Sequence, residues 1–111
     1  MFYVMDSIKK AQEEVDVLIE EFGGYWPVLS MFASLAEEVG ELARELNALE
    51  KIKIKKPTEP MKKIEEEMGD VLFSLICLAN QYSVDLGDSL EIVLAKYRKR
   101  DKNRYTSADM E

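Results

Sequence analysis

Histidine is absent from this chain of 111 residues. That absence removes the usual nitrogen ligand of zinc and di-iron centres, and a ferritin-like iron site, which needs Glu-x-x-His pairs, cannot be built. A lone Cys77 excludes an intramolecular disulfide. Set in the apolar run 71–79, it reads as a buried thiol of a reducing compartment, with the cytoplasm as the expected location. Three prolines and five glycines are too few for a collagen-like or disordered chain. No apolar run approaches the roughly 20 residues of a membrane span, and residues 1–5 are too short and too quickly followed by charge for a signal peptide. Positive charge is also in short supply: 15 Lys and Arg stand against 22 Asp and Glu, a net charge of −7. Such a surface repels a nucleic acid polymer or an anionic membrane, so any anionic ligand must be met locally.

What is present fits one helical domain spanning 1–111, with 47% hydrophobic and 33% charged residues. Over 7–22, Ile8, Ala11, Val15, Leu18, Ile19 and Phe22 recur at steps of three and four, with Asp6 or Ser7 as N-cap and Gly23-Gly24 as terminator. A second helix is expected over 27–49, with Phe32, Leu35, Ala36, Val39, Leu42, Ala43, Leu46 and Leu49 on one face. Residues 51–60 alternate Lys with Ile and hold two prolines, which reads as a connector whose lysines aid solubility. Pro60 suits the first turn of a third helix to Tyr82, with Ile64, Met68, Val71, Leu72, Leu75, Ala79 and Tyr82 inward and Phe73 and Ile76 pointing elsewhere. Asp88 can cap a fourth helix carrying Leu90, Val93, Leu94 and Tyr97 on its apolar face. The tail 106–111 is expected to fray. The fold class is therefore all-α, a four-helix bundle. A third helix apolar on nearly every side has little in one small domain to cover it, which favours a homo-oligomer; a homodimer or homotetramer is expected, without a choice between them.

Two acidic motifs stand out, Glu37-Glu38-Val39-Gly40-Glu41 and Glu67-Met68-Gly69-Asp70. Taking Leu35 as the centre of its helix's core face, Glu38 lies about 60° to one side, Glu41 about 120° and Glu37 about 160°. From Val71, Glu67 lies about 40° and Asp70 about 100° away. Helices packed roughly 8 to 10 Å apart can bring these two edges together. Carboxylates about 5 Å apart repel by roughly 3 kcal/mol at an effective dielectric near 20, so the cluster calls for a counter-charge. Oxygen-only ligands favour Mg²⁺ or Mn²⁺. A single Glu-x-x-Glu is ordinarily a solvated face, and spacing alone leaves a metal site and two charged surfaces both open.

In context, these residues resemble a known family. Glu37-Glu38-x-x-Glu41, twenty-five residues, then Glu67-x-x-Asp70, within Leu35-Ala36-Glu37-Glu38-Val39-Gly40-Glu41-Leu42 and Glu66-Glu67-Met68-Gly69-Asp70-Val71-Leu72-Phe73, is similar to the signature of the MazG-type all-α nucleoside triphosphate pyrophosphohydrolases. The likeness runs from the first helix to Lys96-x-x-x-Arg100 and Arg104, and is close to the short single-domain members. It implies Mg²⁺-dependent hydrolysis of a nucleoside triphosphate between the α and β phosphates, giving a monophosphate and pyrophosphate, in the removal of non-canonical or excess nucleotides. Carried over by position, Glu38, Glu41, Glu67 and Asp70 would hold the metal, with Mn²⁺ as a substitute, and Glu37 would orient or activate water. Lys96 and Arg100, one helical turn apart, are candidates for phosphate, with Arg104 behind them, although basic residues also gather at helix C-termini for the macrodipole alone. Trp26, beside Tyr25, could stack on a base or instead serve the core or a dimer interface, Asn80 offers a donor and an acceptor, and Ser34 and Ser74 could line the cleft or bond their own helix backbone. Two other readings remain open: a phosphoribosyl-ATP pyrophosphohydrolase of the same superfamily, and a non-catalytic helical interaction module.

Overall fold

A computed structural model of the chain describes residues 7–60 and 62–101. The described residues form four helices and no strand: α1 (Ile8–Glu21), α2 (Val28–Leu49), α3 (Ile64–Gln81) and α4 (Leu86–Asp101). Asp6, Arg104 and the tail 106–111 lie outside the described residues. The fold is all-α, as the periodicity implies. An antiparallel pair, α2 and α3, is its main packing unit; α1 lies against α3, and α4 against α1.

Helix boundaries follow local chemistry. Ser7 caps α1 by accepting from the Lys10 N–H. Three helices end through a left-handed residue: Gly23 after α1 (φ 99°), Lys51 after α2 (φ 59°) and Ser83 after α3 (φ 53°). In each case the next N–H reaches back five residues, Gly24 to Ile19 at 2.9 Å, Ile52 to Asn47 at 2.9 Å and Val84 to Ala79 at 3.0 Å, which satisfies carbonyls that the helix leaves unpaired.

Two helix starts differ from the sequence expectation. α3 begins at Ile64 and not at Pro60. The Pro60 carbonyl accepts from Lys55 Nζ at 2.7 Å and the Lys62 N–H donates to Glu45 Oε1 at 3.0 Å, so side chains of α2 and the connector hold this backbone out of helix. α4 begins at Leu86, ahead of Asp88, the residue expected to cap it. Asp85 supplies the cap: its Oδ1 accepts from the Asp88 N–H at 3.1 Å and its carbonyl from the Ser89 N–H at 3.0 Å.

Met31, Ile76, Cys77 and Ala79 are the buried apolar residues among those described. Ile76, expected to point elsewhere, is only 2% exposed, while Met68, Leu72, Leu75 and Tyr82, expected inward, are exposed. The reason is the composition of α3: a helix apolar on nearly every side carries no period that selects one face, and the choice falls to its neighbours. On α2 the inward stripe runs Met31, Leu35, Glu38, Leu42, Glu45, at steps of four and three, and leaves Phe32, Val39, Leu46 and Leu49 exposed. Two glutamates thus occupy the stripe itself, not its edge. On α4 only Val93 of the expected face is shielded, with Leu90, Leu94 and Tyr97 exposed.

Candidate metal centre

The inward stripe of α2 meets Glu67 and Asp70 of α3 across the helix pair. Glu38, Glu67 and Asp70 each offer a carboxylate oxygen, all within 4.8 Å of one another. Glu67 is 2% exposed, Glu38 is half-buried and Asp70 faces solvent. One oxygen of Glu38 and one of Glu67 are buried with no hydrogen-bond partner in the protein. Burial, then the charges of Asp70, Glu41 and Glu67, push the Glu38 carboxyl above the ordinary carboxylate range, against the pull of Lys62. An unpartnered buried carboxylate oxygen is costly. Two of them beside a third acid form a donor set suited to a hard divalent cation, all oxygen and with one side open to solvent.

Glu41 does not join these three. It is exposed, and its Oε2 lies 3.4 Å from Lys62 Nζ, which also stands 3.8 Å from Glu67 Oε1. Glu37 is exposed on α2, outside the cluster.

Beside Glu38 opens a cleft of about 320 Å³ walled by Phe22, Trp26, Met31, Phe73, Ser34 and Ser74, with Cys77 at its base. Its apolar walls and two hydroxyls next to an acidic cluster suit a ligand with a flat apolar part and an anionic part. Trp26 is 67% exposed, so its ring is available there. Burial raises the Cys77 thiol above its usual range, leaving it an inert wall.

Other expected residues lie elsewhere. Asn80 is committed to a half-buried network: its Nδ2 donates to the Gln12 carbonyl (3.1 Å) and Tyr25 Oη (2.9 Å), and its Oδ1 accepts from Gln12 Nε2 (3.0 Å). Gln12 also donates to the Val84 carbonyl (2.8 Å) and accepts from the Leu86 N–H (2.9 Å), so the network ties α1, α3 and the start of α4 together. Tyr25 Oη in turn donates to Asp16 at 2.8 Å, and burial leads the causes that push its hydroxyl up to about 12. Lys96 and Arg100 sit on α4 against the Tyr97 ring, 5.2 and 4.5 Å from its centroid, and do not line the cleft.

Sequence reasoning missed Lys62, Glu45 and Lys55. Lys55, expected as a solubiliser, has its side chain 8% exposed in an ion pair with Glu45, which is 3% exposed. Pairing with Lys55 and the Lys62 N–H lowers the Glu45 carboxyl below its usual range. Glu45 lies seven residues after Glu38, so a heptad reading of α2 places it in the stripe; nothing local marks its lysine partner.

A model of the MazG nucleotide pyrophosphohydrolase domain matches residues 27–105 of the chain. The chain belongs to this family. The family match takes in the whole acidic cluster and the basic end of α4. YpjD of Bacillus subtilis (strain 168) is 48% identical over 101 residues, covering 90% of this chain and 91% of its own. The crystal structure of Bacillus subtilis YPJD, named as a candidate pyrophosphatase, superposes with a TM-score of 0.78 at 44% identity, over 89% of this chain and 100% of that one. The Bacillus-conserved MazG protein, a nucleotide pyrophosphohydrolase, gives 0.72 at 42% identity, over 91% and 99%. The four helices seen here are thus the architecture of MazG-type relatives. Among the described residues no helix is long and apolar enough to cross a membrane.

Proposed function

We propose that the protein is a divalent-cation-dependent nucleoside triphosphate pyrophosphohydrolase that cleaves the α–β phosphoanhydride and releases a nucleoside monophosphate and pyrophosphate. The observation that carries this reading is the pair of unpartnered buried oxygens on Glu38 and Glu67, within reach of Asp70 and beside an apolar cleft. These three carboxylates would hold Mg²⁺, or Mn²⁺ in its place, with Glu41 as a fourth ligand once it leaves Lys62. Mg²⁺ supplies charge neutralisation for phosphate oxygens and a lowered pKa for water. Glu37, solvent-facing and one residue before the cluster, would receive a proton from the attacking water. The cleft would take the base, with Trp26 stacking on it and Ser34 or Ser74 meeting its polar edge.

Lys96 and Arg100 would bind phosphate only across a subunit boundary, since within one protomer α4 packs on α1. Exposed Leu72, Phe73, Leu90, Ile92 and Leu94 support such an assembly, a homodimer or a dimer of dimers. We place the protein in the cytoplasm, where nucleotides are abundant and the Cys77 thiol stays reduced, and assign it to the clearance of non-canonical or excess nucleotides.

Incubation with canonical and modified nucleotides in Mg²⁺ tests the reading. Pyrophosphate and monophosphate should appear in equal amounts. Absence of pyrophosphate with every nucleotide, from folded protein, would sink it.

A further inference from the structure

Lys62 reaches the acidic cluster from the connector, not from either helix of the pair. Its Nζ lies 3.4 Å from Glu41 Oε2 and 3.8 Å from Glu67 Oε1, and so bridges a carboxylate of α2 to one of α3. Its root is fixed, because its own N–H donates to Glu45 Oε1 at 3.0 Å. Glu45 is held in turn by Lys55, whose Nζ also donates to the Pro60 carbonyl at 2.7 Å. The backbone of Lys62 is therefore pinned to α2 while its side chain stays accessible to solvent: it is 48% exposed and that of Glu67 only 2%. The ammonium stands between the exposed Glu41 and the buried Glu67.

We infer that Lys62 is a tethered counter-ion of the acidic cluster, which a divalent cation must displace from Glu41 and Glu67 in order to take those carboxylates as ligands. The inference rests on the cation-site reading. A carboxylate oxygen that faces an ammonium at ion-pair distance cannot also face a divalent cation without bringing two positive charges into repulsion. Glu67 keeps one oxygen toward Lys62 and one without a partner, so loading can begin at the free oxygen and finish as the lysine swings out. The arrangement accounts for Glu41 standing apart from Glu38, Glu67 and Asp70: it is the acid that Lys62 holds most closely. The pin at Glu45 keeps the displaced ammonium near the site, so that the lysine returns when the cation leaves.

The test compares wild type with Lys62→Met, Lys62→Gln and Lys62→Arg, reading Mn²⁺ binding calorimetrically without nucleotide and thermal unfolding without cation. Loss of the charge should tighten Mn²⁺ binding by roughly two- to fivefold, the scale of a half-exposed ion pair, and lower the cation-free Tm. Arginine should keep both near wild type. A lysine with a purely structural role would weaken stability and cation binding together; the opposed signs are the signature. Unchanged or weaker Mn²⁺ binding by folded Lys62→Met or Lys62→Gln, with wild type binding normally, overturns the inference alone. Absence of Mn²⁺ binding by folded wild type overturns the site reading and the inference with it.

Discussion

Glu38 and Glu67 come from different helices, yet each keeps one buried carboxylate oxygen unpaired within the same three-acid cluster. The fold holds mutually repelling charges at its centre, where apolar side chains would pack more favourably. That arrangement governs how the protein should respond to cations, to pH and to substitution.

Divalent cation should stabilise the protein strongly. At a hundredfold excess over Kd the gain is about 2.7 kcal/mol, a rise in Tm of roughly 10 to 20 °C for a chain of this size. Glu67→Gln should abolish the rise while leaving the cation-free protein folded, since it removes charge and keeps shape. Thermal unfolding with and without Mg²⁺ measures both. A full Tm response in the variant would remove Glu67 from the site.

The cation-free protein should be most stable at mildly acidic pH. The Glu38 carboxyl is raised, so its ionisation opposes folding: stability falls as pH rises from its ordinary value of 4.5 through the raised one. Glu45 acts in reverse. Its carboxyl is lowered, and the stability it contributes is present above 4.5 and lost as pH falls through the lowered value. Glu38→Gln should flatten the neutral side of the profile and Glu45→Gln the acid side. Tm measured from pH 3 to 8 in chelator shows whether the two limbs separate in this way.

Asn80 should matter for stability and not for substrate. Asn80→Ala takes an acceptor from Gln12 Nε2 and the donor from Tyr25 Oη, at about 1 kcal/mol per lost bond. The expected result is a Tm lower by several degrees with KM for nucleotide unchanged at a temperature where the variant is folded. A raised KM at full folding would return Asn80 to the binding site.

Trp26 is the chain's one tryptophan, so its fluorescence reports on the cleft without labelling. Nucleotide binding in Mg²⁺ should quench it, and Trp26→Ala should raise KM about tenfold, the scale of one lost base–aromatic stack. Unaltered emission at saturating nucleotide would place the base elsewhere.

The sequence carried the parts of this site that obey a period. Steps of three and four marked four helices, and angular placement turned Glu38, Glu67 and Asp70 toward one another, although Glu38 lies in the inward stripe of α2 and not at the edge where it was expected. It failed where no period discriminates, as on α3, whose apolar girth concealed that Ile76 and not Met68 turns inward. It also failed where partners are distant in the chain. Gln12 sits in the α1 stripe Ile8, Gln12, Val15, Ile19 as a lone polar break, and only the fold shows that Asn80, Val84 and Leu86 satisfy it. Lys55 and Lys62 look alike in a lysine-rich connector; tertiary geometry alone makes one a pin and the other a charge between Glu41 and Glu67.

The left-handed residues at the helix ends divide the chain's reversals into relaxed and strained ones. Gly23 adopts its φ of 99° without steric cost, whereas Lys51 and Ser83 carry a Cβ through φ of 59° and 53°. These two joints are unspent reserve, places where the native backbone tolerates a residue it does not prefer, far from the acidic cluster. Lys51→Gly and Ser83→Gly should each raise stability by about 0.5 to 1 kcal/mol, measured by denaturant unfolding. The chain thus offers a route to a hardier enzyme through its corners, with the chemistry of its centre left alone.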